Sequence, residues 1–263
     1  DGYKLVEAPH LGMEHQSAVA YGNNFGEGYR GRDLSGTGRG LKWDFIIVHE
    51  SGHEWFGNNI TCKDLADEWI HEGFTSFSET IYVTYWFGRQ AGNEYNIGLR
   101  KNIVNKYPII WKYGVNQDHF DTDEYYKASN MLQLIRQAIN DDEKFRRILR
   151  GLNKTFYHQT VTTEQIETYI SKNSGIDFSK IFDQYLRNTS IPVLEYKTGP
   201  GLASFRFTNC IKGFNIPVKV NIGDRDVWIH PTEEWNKLSL KDGYDGKTFT
   251  VDPNFYIMTK RVE

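Results

Sequence analysis

Residues 49–79 have the sequence HESGHEWFGNNITCKDLADEWIHEGFTSFSE, and the prediction of fold rests on this stretch. It begins with the pattern His49-Glu50-x-x-His53. Residues four apart on an α-helix lie one turn apart on the same face, so both imidazoles can reach a single metal ion. Glu50 follows the first histidine directly and projects beside the ion. This position predicts a general base rather than a ligand.

A catalytic zinc ion needs a third protein ligand and one open coordination position. Glu72 is the candidate third ligand, and the interval from His53 fits a helix, a loop and a second helix crossing the first. Glu68 and His71 lie close by, so spacing alone leaves the choice open. A set of two histidines and one glutamate is typical of hydrolytic zinc. The alternative is that the match is accidental and that both histidines are merely exposed or hydrogen-bonded in the core.

Glu79 lies seven residues after Glu72, two helical turns further along the same face. A carboxylate in this position can accept a hydrogen bond from the second ring nitrogen of a ligand histidine. The alternative for Glu79 is a solvated acid on the surface of the helix.

Outward from this stretch, the pattern predicts an α+β fold. Short strands are expected at Tyr3 to Val6 and Ser17 to Tyr21, followed by a glycine-rich loop over residues 22–41. A mainly helical region then extends to residue 188. Helices are expected over residues 41–56, from Asp64 through residues 74–87, and over 126–139, 141–157, 162–174 and 178–186.

Seven short runs, most of them alternating apolar and polar residues, follow residue 192 and predict a small β-sandwich. The predicted domains are a catalytic domain over residues 1–188 and the sandwich over 189–263.

Composition excludes several classes of protein. The net charge is −3, from 31 basic and 34 acidic side chains, which gives no support for a nucleic acid as partner. Cys62 and Cys210 are the two cysteines and are interpreted as free thiols. No apolar run reaches the length of about 18 residues that a membrane span requires. The compartment stays open between cytoplasm and periplasm or secretion, because no signal region is visible.

Residues 49–79 resemble the zinc signature of the aminopeptidase N-type zinc metallopeptidases, which are gluzincins. That signature is His-Glu-x-x-His, eighteen residues and then Glu, and residues 54–71 form that interval here. The Trp-Phe-Gly-Asn after His53 and the Trp-x-x-Glu-Gly-Phe around Glu72 also match. The resemblance implies a thermolysin-like catalytic domain with one Zn²⁺ per chain, held by His49, His53 and Glu72, with Glu50 as the base.

A second resemblance lies upstream, where LGMEHQSAVAYGN is similar to the family's Gly-x-Met-Glu-Asn exopeptidase motif. It implies that Glu14 binds the free α-amine of the substrate. Leu11 replaces the first glycine of the motif and His15 replaces the asparagine, whereas the methionine and the glutamate are present.

A third resemblance lies downstream, where EYYKASNML is similar to the family's Tyr-x-Lys segment. The register implies that Tyr125 stabilises the oxyanion and that Lys127 is the motif lysine. Tyr126 is the neighbour most easily confused with Tyr125.

The resemblance also implies parts that lie outside this sequence, namely a large N-terminal β domain and a C-terminal helical domain of a longer parent chain. The opening at Asp1, without a methionine, predicts an excised fragment or a processed product. The expected partner is a peptide with a free N-terminus.

The predicted function is therefore that of a zinc metallopeptidase, specifically an aminopeptidase. Two alternatives stay open. The same zinc site could act as an endopeptidase or hydrolyse an epoxide, or the chain could be a non-catalytic scaffold fragment.

Overall fold

The computed structural model describes residues 2–116, 121–223, 225–240 and 249–263 and shows a fold of mixed helices and strands. Three short strands come first: β1 (Leu5–Glu7), β2 (Gly12–Met13) and β3 (Val19–Tyr21). The central strand is β3, which is parallel to β1 and antiparallel to β2. The sequence predicted β1 and the central strand β3 but missed β2, because two residues are too few to show an alternation.

The α-helices of the described residues are α1 (Phe45–Gly52), α2 (Trp69–Phe87), α3 (Arg89–Leu99), α4 (Asp123–Ile139), α5 (Asp142–Thr155), α6 (Thr163–Ser174) and α7 (Ser179–Leu186). Short 3₁₀ helices cover Arg39–Lys42, Leu65–Asp67 and Arg100–Asn102. Between the helices, β4 (Ile60–Cys62) pairs in parallel with β5 (Gln159–Val161).

Helix α1 is shorter than the predicted span of residues 41–56. Trp43 and Asp44 have extended backbones, and the Asp44 side chain accepts hydrogen bonds from the backbone N–H groups of Ile46 and Ile47 at 3.1 and 3.3 Å. This N-cap satisfies donors that the first turn leaves free, and it sets where the helix begins.

The sequence did not predict α3. Its segment, RQAGNEYNIGL, is polar and contains two glycines, which weaken a helical signal. The helix forms because Ala91, Tyr95 and Leu99, spaced four apart, are all buried against the rest of the core. Asp64 also behaves differently from the prediction, since it caps the 3₁₀ helix over Leu65–Asp67 rather than α2 itself.

Two glycines allow α2 to lie close to its neighbours. A Cβ atom at Gly52 of α1 would lie 3.0 Å from Thr75 Cγ2 of α2. A Cβ atom at Gly73 of α2 would lie 2.6 Å from the Cβ of Ala128 and 3.2 Å from the backbone oxygen of Glu124, both in α4. Gly52 and Gly73 therefore set how closely the helices approach one another. In the sequence they are adjacent to the predicted site residues His53 and Glu72.

In the described residues, seven strands follow α7, as the sequence predicted. They are β6 (Val193–Gly199), β7 (Leu202–Thr208), β8 (Val218–Ile222), β9 (Arg225–Ile229), β10 (Asn236–Ser239), β11 (Phe249–Val251) and β12 (Met258–Arg261). They form a four-stranded sheet in the order β10-β7-β6-β12 and a three-stranded sheet in the order β11-β8-β9. Tyr196 of the first sheet stacks on Phe249 of the second, with ring centroids 4.4 Å apart.

One cluster of buried side chains runs through both the helical part and these sheets, from Phe56 to Ile257. The predicted division into domains at residues 188 and 189 stays a prediction. In the described part of the chain, no helix combines the length and the apolar character that crossing a bilayer would require.

We expect Gly73→Ala to destabilise the protein. Alanine gains roughly 1 kcal/mol over glycine as a helix former. The added methyl group, however, meets another Cβ and a backbone oxygen, neither of which can turn away. We expect a net loss of about 1–2 kcal/mol in the free energy of unfolding, measured by urea titration.

The control is Gly199→Ala, because a Cβ there meets nothing within 4 Å and should change stability by less than about 0.5 kcal/mol. Adding Ala128→Gly to Gly73→Ala should restore part of the loss. If Gly73→Ala is as stable as the unmodified chain, then the close approach of α2 and α4 is not a constraint.

Candidate metal centre

Three side chains from α1, its C-terminal boundary and α2 converge on one point. The Nε2 atoms of His49 and His53 are 3.3 Å apart, and each lies 3.4 Å from Glu72 Oε2. All three residues are buried, with 1–7% of their surface exposed. The structure therefore brings together the three residues that the sequence proposed as ligands.

The separations of these atoms fit a bound metal ion. Ligands at about 2.0–2.1 Å from a tetrahedral zinc ion lie about 3.3–3.4 Å from one another. Glu72 Oε2 is buried and makes no hydrogen bond, although both imidazoles are near it. A single cation bound to this oxygen and to both ring nitrogens would compensate the buried carboxylate, which otherwise lacks a donor.

The opposite nitrogens of the two rings already have acceptors. His49 Nδ1 lies 2.8 Å from Glu79 Oε1, and His53 Nδ1 lies 3.0 Å from the backbone oxygen of Phe56. A proton on Nδ1 leaves the lone pair on Nε2, which is the form that binds a metal ion. The surroundings of each ring therefore select the tautomer that a ligand needs.

Electrostatics in the centre follow from this arrangement. Burial disfavours charge on His49, but the carboxylates of Glu72 and Glu79 outweigh it and raise the pKa of the imidazole well above its usual value. Burial also opposes the charge of Glu72, yet the neighbouring imidazoles of His49 and His53 hold the pKa of its carboxyl below the usual range. The donor set thus favours positive charge at its centre.

Glu79 is fully buried and connects α2 to the first histidine. Its Oε1 faces His49 Nδ1, and its Oε2 accepts a hydrogen bond from the hydroxyl of Tyr95 at 2.6 Å. The alternative of a solvated surface acid does not hold, because Glu79 has no exposed surface.

Glu68 and His71, which spacing alone could not separate from Glu72, have other surroundings. His71 Nε2 accepts the backbone N–H of Cys62 at 2.8 Å. Among the described residues, the groups whose ligand atoms lie within 4.8 Å of one another include neither Glu68 nor His71. The geometry favours Glu72.

Glu50 and Glu14 lie next to His53. Glu50 is 5% exposed, and burial raises the pKa of its carboxyl to about 6. Ligand atoms of Glu14, Glu50 and His53 all lie within 4.8 Å of one another. The half-buried Glu14 follows β2, and its backbone oxygen accepts a hydrogen bond from Asn58 Nδ2 at 3.0 Å.

The two departures from the exopeptidase motif differ in their surroundings. Leu11 packs against the apolar cluster around Trp43 and Phe45, and His15 is exposed. Neither belongs to the groups of converging ligand atoms in the described residues.

Tyr125 and Tyr126 face different surroundings at the start of α4. The ring of Tyr125 lies 6.0 Å from that of His49, at an interplanar angle of 23°. Burial, and then the charge of Glu72, raise the pKa of the Tyr125 hydroxyl far above its usual value, so it stays a donor. Tyr126 instead packs against the cluster that contains Trp43.

Lys127 has a supporting position. It is fully buried, and its Nζ donates to the backbone oxygen of Asn188 at 2.8 Å, which ties α4 to the segment after α7. Burial lowers the pKa of Lys127 to about 8.

Sequence reasoning missed two contributors, the backbone oxygen of Phe56 and the hydroxyl of Tyr95. A backbone oxygen leaves no residue-type signal. Tyr95 could have been found from the spacing of Ala91, Tyr95 and Leu99 on one helical face, but its segment was not predicted as a helix.

Comparison with known proteins shows which proteins this chain is similar to. A family model described as the peptidase family M1 domain matches residues 32–185. Aminopeptidase B of Mus musculus is 24% identical over 177 residues, which cover 59% of this chain and 27% of that protein. The chain spans about a quarter to a third of the length of the first curated relatives that it matches.

Two solved structures share the fold. The Legionella pneumophila aminopeptidase A in complex with aspartic acid superposes with a TM-score of 0.73 and 15% identity, over 98% of this chain and 32% of that chain. A mutant M1 zinc metallopeptidase from Deinococcus radiodurans, bound to a Tyr-Ser-Ala substrate, superposes with a TM-score of 0.55 and 19% identity, over 70% and 39% of the two chains.

The contact between Glu79 and His49 gives a testable consequence. We expect Glu79→Gln to weaken zinc binding on the order of tenfold or more, because the amide lacks the charge that orients the imidazole. Competition with a chelator, followed by elemental analysis, measures the affinity.

The matched control is Glu195→Gln. Glu195 is also buried, but it pairs with Arg206 in the strand region. Zinc affinity should not change in this variant. Equal affinities of the Glu79→Gln variant and the unmodified chain would show that the contact has no role in metal binding.

Proposed function

The chain belongs to the peptidase M1 family, and from this membership we propose that it is the catalytic part of a zinc aminopeptidase. In this proposal the chain removes residues from the N-termini of peptides. The observation that carries the proposal is the convergence of His49, His53 and Glu72 on one point at 3.3–3.4 Å. Glu50 lies next to His53, with ligand atoms within 4.8 Å of one another, and is the proposed general base.

Zinc is the metal that the likeness to an M1 zinc metallopeptidase implies. In the proposal, one ion per chain is held by His49, His53 and Glu72. When bound, zinc supplies Lewis acidity that makes a water molecule more acidic and polarises the scissile carbonyl group. Glu79 and the Phe56 backbone oxygen keep the two imidazoles oriented for this task.

Glu50 moves the proton in the proposed reaction. Its carboxylate accepts a proton from the attacking water, whose oxygen bonds to the carbonyl carbon. The C–N bond then breaks, and Glu50 returns the proton to the leaving amine. A carboxyl whose burial raises its pKa to about 6 is suited to both steps near neutral pH.

Tyr125 stabilises the charge that develops on the carbonyl oxygen. Its hydroxyl stays protonated because burial and the neighbouring Glu72 disfavour the phenolate. A fixed donor aimed at a developing oxyanion lowers the barrier more than it strengthens substrate binding.

Glu14 provides the preference for a free N-terminus. Its carboxylate lies within reach of the same space as Glu50 and His53, with ligand atoms within 4.8 Å. A cationic α-amine paired with Glu14 would place the first peptide bond next to Glu50. This position favours aminopeptidase action over the endopeptidase alternative.

We expect Glu50→Gln to retain zinc and to lose hydrolysis of aminoacyl anilides. The amide cannot accept the proton, whereas none of the three ligands is altered. The expected loss in kcat is at least about 100-fold. Elemental analysis of both proteins should give one zinc per chain. Retained activity in this variant would remove the proposed mechanism.

We expect N-acetylation of a peptide substrate to abolish its cleavage, because the blocked amine cannot pair with Glu14. Glu14→Gln should raise KM for the free peptide while leaving zinc content unchanged. Product analysis by mass spectrometry distinguishes removal of the first residue from internal cleavage. Equal cleavage of the free and the blocked peptide would contradict the exopeptidase assignment.

A further inference from the structure

We propose that Tyr95 of α3 is a positioning residue for the metal centre, acting through Glu79 on the orientation of His49. The inference rests on the proposed function, since it needs His49 to bind zinc. It adds a residue two contacts away from the ion, on a helix that carries none of the residues assigned above.

Glu79 depends on its two hydrogen-bond partners. It has no exposed surface, so water does not compensate its charge. Its Oε1 lies 2.8 Å from His49 Nδ1, and its Oε2 lies 2.6 Å from the Tyr95 hydroxyl. A buried carboxylate oxygen that loses its donor is costly, so the group would turn or find another partner.

The Tyr95 hydroxyl fixes the rotation of this carboxylate about its Cγ–Cδ bond. With Oε2 held by Tyr95, Oε1 is directed at His49 Nδ1. Burial, and then the charge of Glu79, raise the pKa of Tyr95 well above its usual value, so the hydroxyl remains a donor. The direction of this bond is therefore fixed, from the phenol to the carboxylate.

Tyr95 is itself held from several sides. Its ring is fully buried and lies 5.7 Å from that of Trp43, the residue before the N-cap of α1. The adjacent Asn96 donates through Nδ2 to Thr80 Oγ1 at 3.0 Å and to Ser129 Oγ at 2.9 Å. These bonds tie α3 to both α2 and α4, so the position of the hydroxyl follows the packing of three helices.

The positioning role is separable from packing. Phenylalanine at residue 95 would keep the ring contact with Trp43 and remove only the hydroxyl group. A purely structural role of Tyr95 would therefore change stability alone, whereas a positioning role changes the affinity for zinc.

The test is a double-mutant cycle with Tyr95→Phe, Glu79→Gln and the combined variant. Zinc affinity is measured by competition with a chelator, and far-UV circular dichroism in EDTA checks that each variant is folded. We expect Tyr95→Phe to weaken zinc binding about tenfold, the low end of the range for residues that support a ligand. In the Glu79→Gln background the same change should cost less than about threefold, because the carboxylate that it orients is gone.

The matched control is Tyr185→Phe. Tyr185 is also fully buried, and its hydroxyl donates to the backbone oxygen of Tyr256, far from the metal ligands along the chain. This variant should lose stability and keep its zinc affinity. As a second readout, the visible absorption of the cobalt-substituted protein should change with Tyr95→Phe and not with Tyr185→Phe.

The outcomes are distinct. Unchanged zinc affinity and an unchanged cobalt spectrum in Tyr95→Phe overturn the inference alone. An equal loss of affinity with and without Glu79→Gln also overturns it, because Tyr95 would then act by another route. An unmodified chain that takes up no zinc refutes the proposed function, and the inference fails with it.

Discussion

Hydrogen bonds on the outer nitrogens of His49 and His53 govern the chemistry at their inner nitrogens. An imidazole that donates from Nδ1 presents a lone pair at Nε2, and an imidazole without an acceptor at Nδ1 can take either form. The fold supplies a carboxylate to one ring and a backbone oxygen to the other. Without these acceptors, two ring nitrogens 3.3 Å apart would have no defined protonation.

The helices are arranged to meet this requirement. Helix α2 contributes both Glu72 and Glu79, whose separation along one face is set by helical geometry. Helix α1 contributes His49 and ends just before His53. Close contact between these helices at Gly52 and Thr75 brings the two pairs together. The position of each site residue is thus a consequence of backbone packing as much as of its own side chain.

The pairs of site residues that could be predicted are those whose two members are separated by whole helical turns. The spacing of His49 and His53, and that of Glu72 and Glu79, predicts shared faces without any tertiary information. The choice of Glu72 over His71 could not be made in this way, because it depends on how α2 crosses α1. The structure separates them, since the side chain of His71 accepts the N–H of Cys62 instead.

Prediction of the fold from the sequence has the same limit, because local spacing carries no tertiary information. Helices with apolar spacing and the seven later strands could be predicted, although their ends shifted by several residues where caps decide them. Short pairs such as β4 and β5 could not, because three residues with a distant partner carry no local signal. Tyr95 was missed for a related reason, since its segment is polar and forms a helix only through tertiary burial.

The groups around the proposed ion all come from one continuous piece of chain, between Asp44 and Tyr95, whereas Glu14 and Tyr125 come from segments outside it. The consequence is a division between the residues that would hold the ion and the residue proposed to bind the substrate amine. Changes at Leu11 and His15 alter none of the three proposed ligands, whereas a Cβ atom at Gly12, between them, would lie 2.4 Å from Glu50 Oε1. The departures at Leu11 and His15, beside an intact set of converging side chains, are the kind of variation that such a division permits.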